Sequence, residues 1–186
     1  MAFTKRQLPE KAKRFSMLHL ITGGARSGKS RYAQELALSQ SAHPVYVATA
    51  KVWDDDFAQR IQRHKEERGP VWVNYEEELY VSRLPLDGHT VVIDCITLWL
   101  TNFFTAHDYH TDNTLQAIQA EIHALHQKAG TFIIVTNEIG MGVHAETEAG
   151  RKFTDLQGWV NQYTARIAGT VTLMVSGIPV VIKNDA

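Results

Sequence analysis

Short, uniformly apolar runs alternate along the chain with longer segments in which apolar and polar residues mix. The apolar runs are MLHLITGG, PVYVATA, VWVNYE, HTVVIDCIT and TFIIVTNE, and the last is TVTLMVSGIPVVIK. Runs of this length that are apolar throughout are typical of strands buried on both faces. Their alternation with helical segments predicts an α/β protein with a mainly parallel sheet covered by helices on both faces.

The mixed segments predict five helices, over residues 30–40, 54–69, 98–104, 114–130 and 151–168. In the first of them, Tyr32, Leu36 and Leu38 form a rough apolar stripe at helical spacing. The C-terminal apolar run is interrupted at residues 177–179, so its two halves are close enough for a hairpin. The last strand is therefore predicted to be antiparallel to its neighbour.

Composition limits the class of protein. The 186 residues are 44% hydrophobic and 21% charged, which suits one domain over residues 17–186. Residues 1–16 are basic and polar, lack the apolar segment of a secretory signal, and are expected to be a loosely ordered extension. A net charge of −1 argues against nucleic acid as a partner, and the apolar runs are too short for a membrane span. Cys95 is the single cysteine, which excludes an internal disulfide and fits the reducing cytoplasm.

The segment GGARSGKS matches the phosphate-loop pattern G-x-x-x-x-G-K-[ST] between a predicted strand and a predicted helix. Backbone N–H groups in such a loop form an anion nest at a helix N-terminus. Lys29 is expected to reach the β- and γ-phosphates, and Ser30 to bind Mg²⁺. Arg26 either contacts phosphate or points to solvent. The predicted nucleotide-binding residues here are Gly23, Gly24, Ala25, Arg26, Ser27, Gly28, Lys29 and Ser30.

Two carboxylates follow predicted strands, and ligands bind at that edge of a parallel sheet. Asp94 ends the run VVID, where it is expected to bind Mg²⁺ or, alternatively, to cap the following helix. Glu138 ends VTNE, where it either activates an attacking hydroxyl, completes the metal site or only caps the glycine loop.

His64 lies in the segment RIQRHKEERG, on the same predicted helix face as Phe57 and Ile61. A neutral imidazole can attack an α-phosphorus and form a phosphoramidate. The cations around it, Arg60, Lys65 and Arg68, would lower its pKa and bind nucleotide phosphates. The alternative is a half-buried helix histidine among solvated charges, which spacing alone favours.

Seven blocks in order resemble one known family. They are ITGGARSGKSRYAQELA, VYVATA, RIQRHKEERGPVW, VVIDCITLWLTNFF, VTNEIGMGV, RKFTDLQGWVNQ and VSGIPVVIK. Together they are similar to the bifunctional adenosylcobinamide kinase / adenosylcobinamide-phosphate guanylyltransferase family of cobalamin biosynthesis. The resemblance implies a RecA-like P-loop fold, a homotrimer, ATP and GTP as substrates with Mg²⁺, and adenosylcobinamide and its phosphate as acceptors.

The resemblance also implies roles for individual residues. Its R-I-x-x-H-[KR]-x-x-R motif assigns the guanylylated histidine to His64. Beyond the phosphate loop, it assigns nucleotide binding to Thr49, Ala50, Lys51, Lys65, Glu66, Glu67, Arg68 and Glu76. The chain departs from the family pattern at His144 and Ala145 after the glycine loop, and at Trp159.

Two other functions fit parts of the pattern. One is a P-loop kinase of a small hydroxylated metabolite in which His64 is never modified. The other is a RecA-like nucleotide-switched binding module without a small-molecule acceptor. His107, His110, His123 and His126 could suggest a metal site, but no cysteine or carboxylate cluster joins them at ligand spacing, so we interpret them as surface residues. The aromatic residues of LWLTNFF are interpreted as core or a subunit interface.

Overall fold

The computed structural model describes residues 16–51 and 68–185. Within these residues, seven strands form one sheet in the order β3-β2-β4-β5-β1-β6-β7. The strands are β1 (Met17–Gly23), β2 (Val45–Ala48), β3 (Val73–Glu76), β4 (His89–Asp94), β5 (Gly130–Val135), β6 (Thr170–Val175) and β7 (Ile178–Asn184). Neighbouring strands are parallel, except that β7 is antiparallel to β6. The predicted α/β fold, with a mostly parallel sheet and one antiparallel strand at its C-terminal end, is confirmed.

Four α-helices are described: α1 (Lys29–Gln40), α2 (Ile96–Ala106), α3 (Thr111–His126) and α4 (Glu148–Ile167). Side chains alternate between the two faces of each strand, and two hydrophobic clusters fill those faces. The larger cluster joins the sheet to α2, α3 and α4, and the smaller joins it to α1. The prediction of helices on both faces is therefore confirmed.

The aromatic segment of α2 belongs to the core. Trp99, Phe103 and Phe104 are buried, and the Trp99 indole nitrogen donates a hydrogen bond to the Leu79 carbonyl at 2.8 Å. Complete burial of one such side chain contributes roughly 1.5–3 kcal/mol. This confirms the interpretation of these residues as core.

Some sequence-based details are wrong. Leu38 was expected on the apolar stripe of α1, but its side chain is exposed, and the helix instead buries Ala33 and Ala37. These small residues allow α1 to pack close to the sheet. A stripe of large side chains would not place the helix so close. A 3-10 turn at Val81–Arg83 was not expected. The predicted helix over 54–69 lies outside the described residues except for its end, as does nearly all of the predicted extension 1–16.

Candidate functional site

The phosphate loop connects the end of β1 to the start of α1. Gly28, immediately before the helix, has φ 93°, a conformation that glycine adopts without strain. At the other end of the loop, Gly23 approaches β6 so closely that a Cβ there would lie 2.6 Å from the Met174 carbonyl oxygen. The Gly177 N–H in the β6–β7 turn donates to the Ser27 carbonyl at 3.0 Å. The C-terminal hairpin therefore supports the loop, a contact that the local motif does not reveal.

Lys29 is buried at the first position of α1, with 7% of its surface exposed. Its ammonium group donates to the Gly24 carbonyl at 2.5 Å, inside the loop. Burial lowers the pKa of Lys29, while the neighbouring Cys95 and Asp94 oppose that shift. The Lys29 ammonium group therefore lies inside the loop that is predicted to bind phosphates.

Asp94 ends β4 and lies close to Tyr46 of the adjacent strand. The Tyr46 hydroxyl donates to Asp94 Oδ2 at 2.8 Å. Burial, and then the Asp94 charge, raise the pKa of Tyr46 well above its ordinary value, so the phenol remains a donor. The N-cap of α2 is Cys95, with no side-chain capping hydrogen bond. Asp94 therefore does not cap the helix in this structure.

The loop and Asp94 line one open cavity of about 640 Å³ at the carboxyl edge of the sheet. Its lining includes predicted residues of the phosphate loop together with Ala50, Arg68 and Asp94. It also includes Tyr46, Cys95, Leu98, Val135 and Asn137, which sequence reasoning did not select. This volume suits a small-molecule ligand.

Arg68 is buried in the wall of this cavity. Its guanidinium carbon lies 3.8 Å from the centroid of the Tyr46 ring, and its Nε donates to Asn74 Oδ1 at 3.0 Å. A planar guanidinium held in this way is suited to phosphate. The other predicted residues of this segment, His64, Lys65, Glu66 and Glu67, lie outside the described residues.

The remaining predicted nucleotide-binding residues are placed differently. Thr49 is fully buried, and its hydroxyl donates to the Cys95 carbonyl at 2.8 Å while accepting from the Cys95 N–H at 2.9 Å. Thr49 therefore braces the chain behind the cavity. Lys51 and Glu76 are exposed and are outside the cavity lining.

Glu138 lies on the loop after β5. Its Oε1 accepts the Gly140 N–H at 2.6 Å, and its own N–H donates to the Gly23 carbonyl at 3.0 Å. This geometry corresponds to the loop-capping alternative, and the catalytic role stays a prediction. The neighbouring Asn137 lines the cavity and donates through Nδ2 to Thr97 Oγ1 at 3.1 Å.

An amide network holds the end of β5 against α4. Gln157 Nε2 donates to Thr136 Oγ1 at 3.0 Å, and Asn161 Nδ2 donates to the Asn137 carbonyl at 3.1 Å. These contacts hold Asn137 at the cavity wall. Two features of the sequence could have identified Tyr46 and Asn137. One is the tyrosine in the apolar run PVYVATA, and the other is the group of polar residues in VTNE, because a buried hydroxyl or amide needs a hydrogen-bond partner.

Among the described residues, no group of three or more histidine, cysteine, aspartate or glutamate side chains is arranged to hold a metal ion. Oxygen donors are nevertheless present, since the Ser30 hydroxyl and the Asp94 carboxylate are on residues that line the same cavity. Two hard oxygen ligands beside a phosphate site suit Mg²⁺, which usually takes its other ligands from water and phosphate. None of the described helices combines the length and apolarity needed to cross a membrane.

Comparison with known proteins gives consistent results. Residues 19–182 match the family described as cobinamide kinase / cobinamide phosphate guanyltransferase. The chain is 36% identical over 174 residues to the bifunctional adenosylcobalamin biosynthesis protein CobP of Pseudomonas aeruginosa, covering 91% of this chain and 99% of that protein. It is 38% identical over 184 residues to the corresponding protein CobU of Escherichia coli, covering 90% and 100%. A solved structure from Pyrococcus horikoshii OT3 has a TM-score of 0.52 at 9% identity over 93% of this chain and 89% of that one, a similarity of fold alone.

Proposed function

The chain belongs to the cobinamide kinase / cobinamide phosphate guanyltransferase family, and from this premise we propose how its own residues carry out the two reactions. In the first, a nucleoside triphosphate transfers its γ-phosphoryl group to the hydroxyl of adenosylcobinamide. The hydroxyl proton leaves and a nucleoside diphosphate is released. In the second, GMP from GTP passes to the cobinamide phosphate, giving adenosylcobinamide-GDP and pyrophosphate.

The observation that carries the proposal is the shared cavity. The phosphate loop, Asp94 and Arg68 come from three separate parts of the chain and line one space of about 640 Å³. A loop of backbone donors, a buried lysine and a fixed guanidinium supply positive potential to a polyphosphate. A cavity lined in this way favours a nucleotide over an uncharged metabolite.

For the kinase step, we assign the β- and γ-phosphates to the loop N–H groups and to Lys29. Lys29 must exchange its hydrogen bond with the Gly24 carbonyl for phosphate oxygens. Ser30 and Asp94 would hold Mg²⁺, which when bound neutralises charge on the phosphates. Glu138 would accept the substrate proton after giving up its contact with the Gly140 N–H, since a general base must come within hydrogen-bonding distance of that proton.

For the guanylyl step, we assign the nucleophile to His64. Its imidazole nitrogen forms a bond to the α-phosphorus as the bond to pyrophosphate breaks, and a phosphate oxygen of cobinamide phosphate then displaces the histidine. Arg68, four residues further along the chain, is fixed by Tyr46 and Asn74. It would bind the nucleotide phosphates, and the family resemblance assigns Lys65, Glu66 and Glu67 to the same nucleotide.

Intact-mass spectrometry after incubation with GTP and Mg²⁺ tests the guanylyl assignment. We expect a gain of one GMP that is labile in acid and stable in alkali, present in wild type and in the exposed-histidine control His144→Ala, and absent from His64→Ala. If GTP binds but no variant gains mass, the kinase-only function replaces this one.

For the kinase step, Glu138→Gln should lower kcat for cobinamide phosphorylation without changing nucleotide affinity, and an unchanged kcat would reject Glu138 as the base.

We further propose a homotrimer, supported by the edge strand β7. Ile178, Val180, Val181 and Ile182 are all exposed there, and an apolar edge strand of this kind favours association. Light scattering should give three times the chain mass of 20.9 kDa. Ile182→Glu should dissociate the assembly, whereas Leu38→Glu, at an exposed leucine on α1, should not. A monomer of 20.9 kDa in wild type would exclude the trimer.

We also propose that the enzyme works in the cytoplasm, where its ATP and GTP substrates are found. The single cysteine, Cys95, is buried and free, which suits a reducing compartment. Fractionation of the source cells, with detection of the protein in each fraction by an antibody, tests this location. Recovery of the protein outside the cytoplasmic fraction would contradict it.

A further inference from the structure

Tyr46 contacts two opposite charges of the cavity with two different parts of its side chain. Its hydroxyl donates to Asp94 Oδ2 at 2.8 Å, and its ring face lies against Arg68, with 3.8 Å between the guanidinium carbon and the ring centroid. All three residues line the cavity. Tyr46 is thus the common neighbour of a predicted metal ligand and a predicted phosphate ligand.

The contacts of Tyr46 keep these two charges apart. Among the contacts of the described residues, Arg68 and Asp94 do not form an ion pair with each other. An arginine and an aspartate that paired directly would have to separate before one could bind an anion and the other a cation, at the cost of a strong charge-assisted contact. With the tyrosine between them, each charge has a neutral partner and stays available to a ligand.

The tyrosine itself is held firmly. It lies in β2, between β3 and β4, and is 5% exposed. The Trp72 ring packs edge-on against it, with ring centroids 5.9 Å apart and an interplanar angle of 84°. Asn74 fixes the other side of Arg68 through its Oδ1, 3.0 Å from Nε. A strand residue packed in this way gives both charged groups a rigid support.

We propose that Tyr46 is a positioning residue for both reactions, orienting the Asp94 carboxylate toward a divalent cation and the Arg68 guanidinium toward the nucleotide phosphates. The hydrogen bond to Oδ2 fixes the rotation of the carboxylate and leaves Oδ1 for the cation. Partners that orient a metal ligand in this way typically change metal affinity by about 10–100-fold when removed. This inference rests on the proposed nucleotide function of the cavity.

Two substitutions separate the two roles. Tyr46→Phe removes the hydroxyl and keeps the ring, so the affinity of Mn²⁺ for the complex with a non-hydrolysable GTP analogue should fall about tenfold. Binding of the same analogue in EDTA should stay within about twofold of wild type, because the ring still supports Arg68. Tyr46→Leu removes both groups, so binding in EDTA should also weaken, by about fivefold.

Free Mn²⁺ is measured by electron paramagnetic resonance, and nucleotide affinity by calorimetry. Trp72→Phe is the matched control, because Trp72 packs on the Tyr46 ring but has no hydrogen bond or cation–π contact with Asp94 or Arg68 among the described contacts. It should leave both affinities near wild type. Saturating Mg²⁺ should restore the rate of guanylylation in Tyr46→Phe, since the hydroxyl positions a ligand and does not react.

The outcomes are distinguishable. If Tyr46→Phe binds Mn²⁺ as tightly as wild type, or Trp72→Phe weakens Mn²⁺ binding equally, Tyr46 acts only through packing and the inference is overturned. If Tyr46→Leu binds nucleotide in EDTA as wild type does, the role toward Arg68 is overturned. A wild-type protein that binds no nucleotide would instead refute the proposed function, and this inference with it.

Discussion

Replacing Gly23 with alanine adds a methyl group at the point where β1 pairs with β6. Gly23 is the register partner of Met174, and its φ of 149° is one that other residues rarely adopt. The added Cβ would lie 2.6 Å from the Met174 carbonyl oxygen and 2.9 Å from Ser27 Oγ. Since the nearest atom belongs to backbone, a rotamer change cannot relieve the contact, and β6 or the phosphate loop must move.

The expected loss of stability has two parts. Strained backbone costs about 1–3 kcal/mol, and forcing a methyl group into a packed contact costs about 1–3 kcal/mol more. A loss near 3 kcal/mol corresponds to a fall in melting temperature of about 6–12 °C for a chain of this size. The same movement should displace the loop donors, so nucleotide affinity should fall together with stability.

Urea unfolding without nucleotide, followed by tryptophan fluorescence, measures the effect. Gly24→Ala is the control, because no atom of the described residues lies within 4 Å of its added Cβ, and its free energy of unfolding should change by less than about 1 kcal/mol. Equal free energies of unfolding for the two variants would refute the steric reasoning about the β1–β6 contact.

Three further predictions concern buried and capping groups. Burial lowers the pKa of Lys29, so between this lowered pKa and about 10.4 the unfolded chain binds more protons than the folded chain, and the free energy of unfolding rises with pH. In urea unfolding, Lys29→Met should reduce the slope of this free energy against pH, and equal slopes in the variant and wild type would contradict the prediction. Burial raises the pKa of Cys95 to about 12, so a disulfide reagent at about pH 8 should modify the thiol only after unfolding; rapid labelling of folded protein would be inconsistent with this. Lys183 donates to the Ala165, Arg166 and Ala168 carbonyls at the end of α4, so Lys183→Ala should lower the free energy of unfolding by about 1–2 kcal/mol. The control Lys152→Ala removes only an exposed ion pair and should lower it by less, so equal losses in the two variants would contradict the capping role of Lys183.

The metal-site prediction shows where local sequence reasoning stops. The pattern VVID located Asp94 at the end of a buried strand, and it does line the cavity. The following helix is capped at Cys95 and not at Asp94, and the carboxylate instead accepts a hydrogen bond from a partner 48 positions away, the Tyr46 hydroxyl. Metal binding by Asp94 stays a prediction. Glu138 poses the same problem, because its contact with the Gly140 N–H follows from the conformation of a glycine loop that hydrophobic spacing does not specify.

Sequence by itself determined the features that arise from local periodicity and motif chemistry. Uniformly apolar runs define strands buried on both faces, and the phosphate-loop pattern requires a strand before it and a helix after it. Both hold for β1, the loop and α1. The family was also identified from the sequence, because seven sequence blocks occur in the order typical of that family.

Tertiary structure alone decided which distant residues meet. The sheet order brings β2 beside β4, so Tyr46 reaches Asp94, and it brings β6 beside β1, so the β6–β7 turn supports the phosphate loop. Asn137 enters the cavity wall because α4 packs against the end of β5. These contacts depend on strand pairing and helix packing between segments far apart along the chain, and local periodicity does not specify which segments become neighbours.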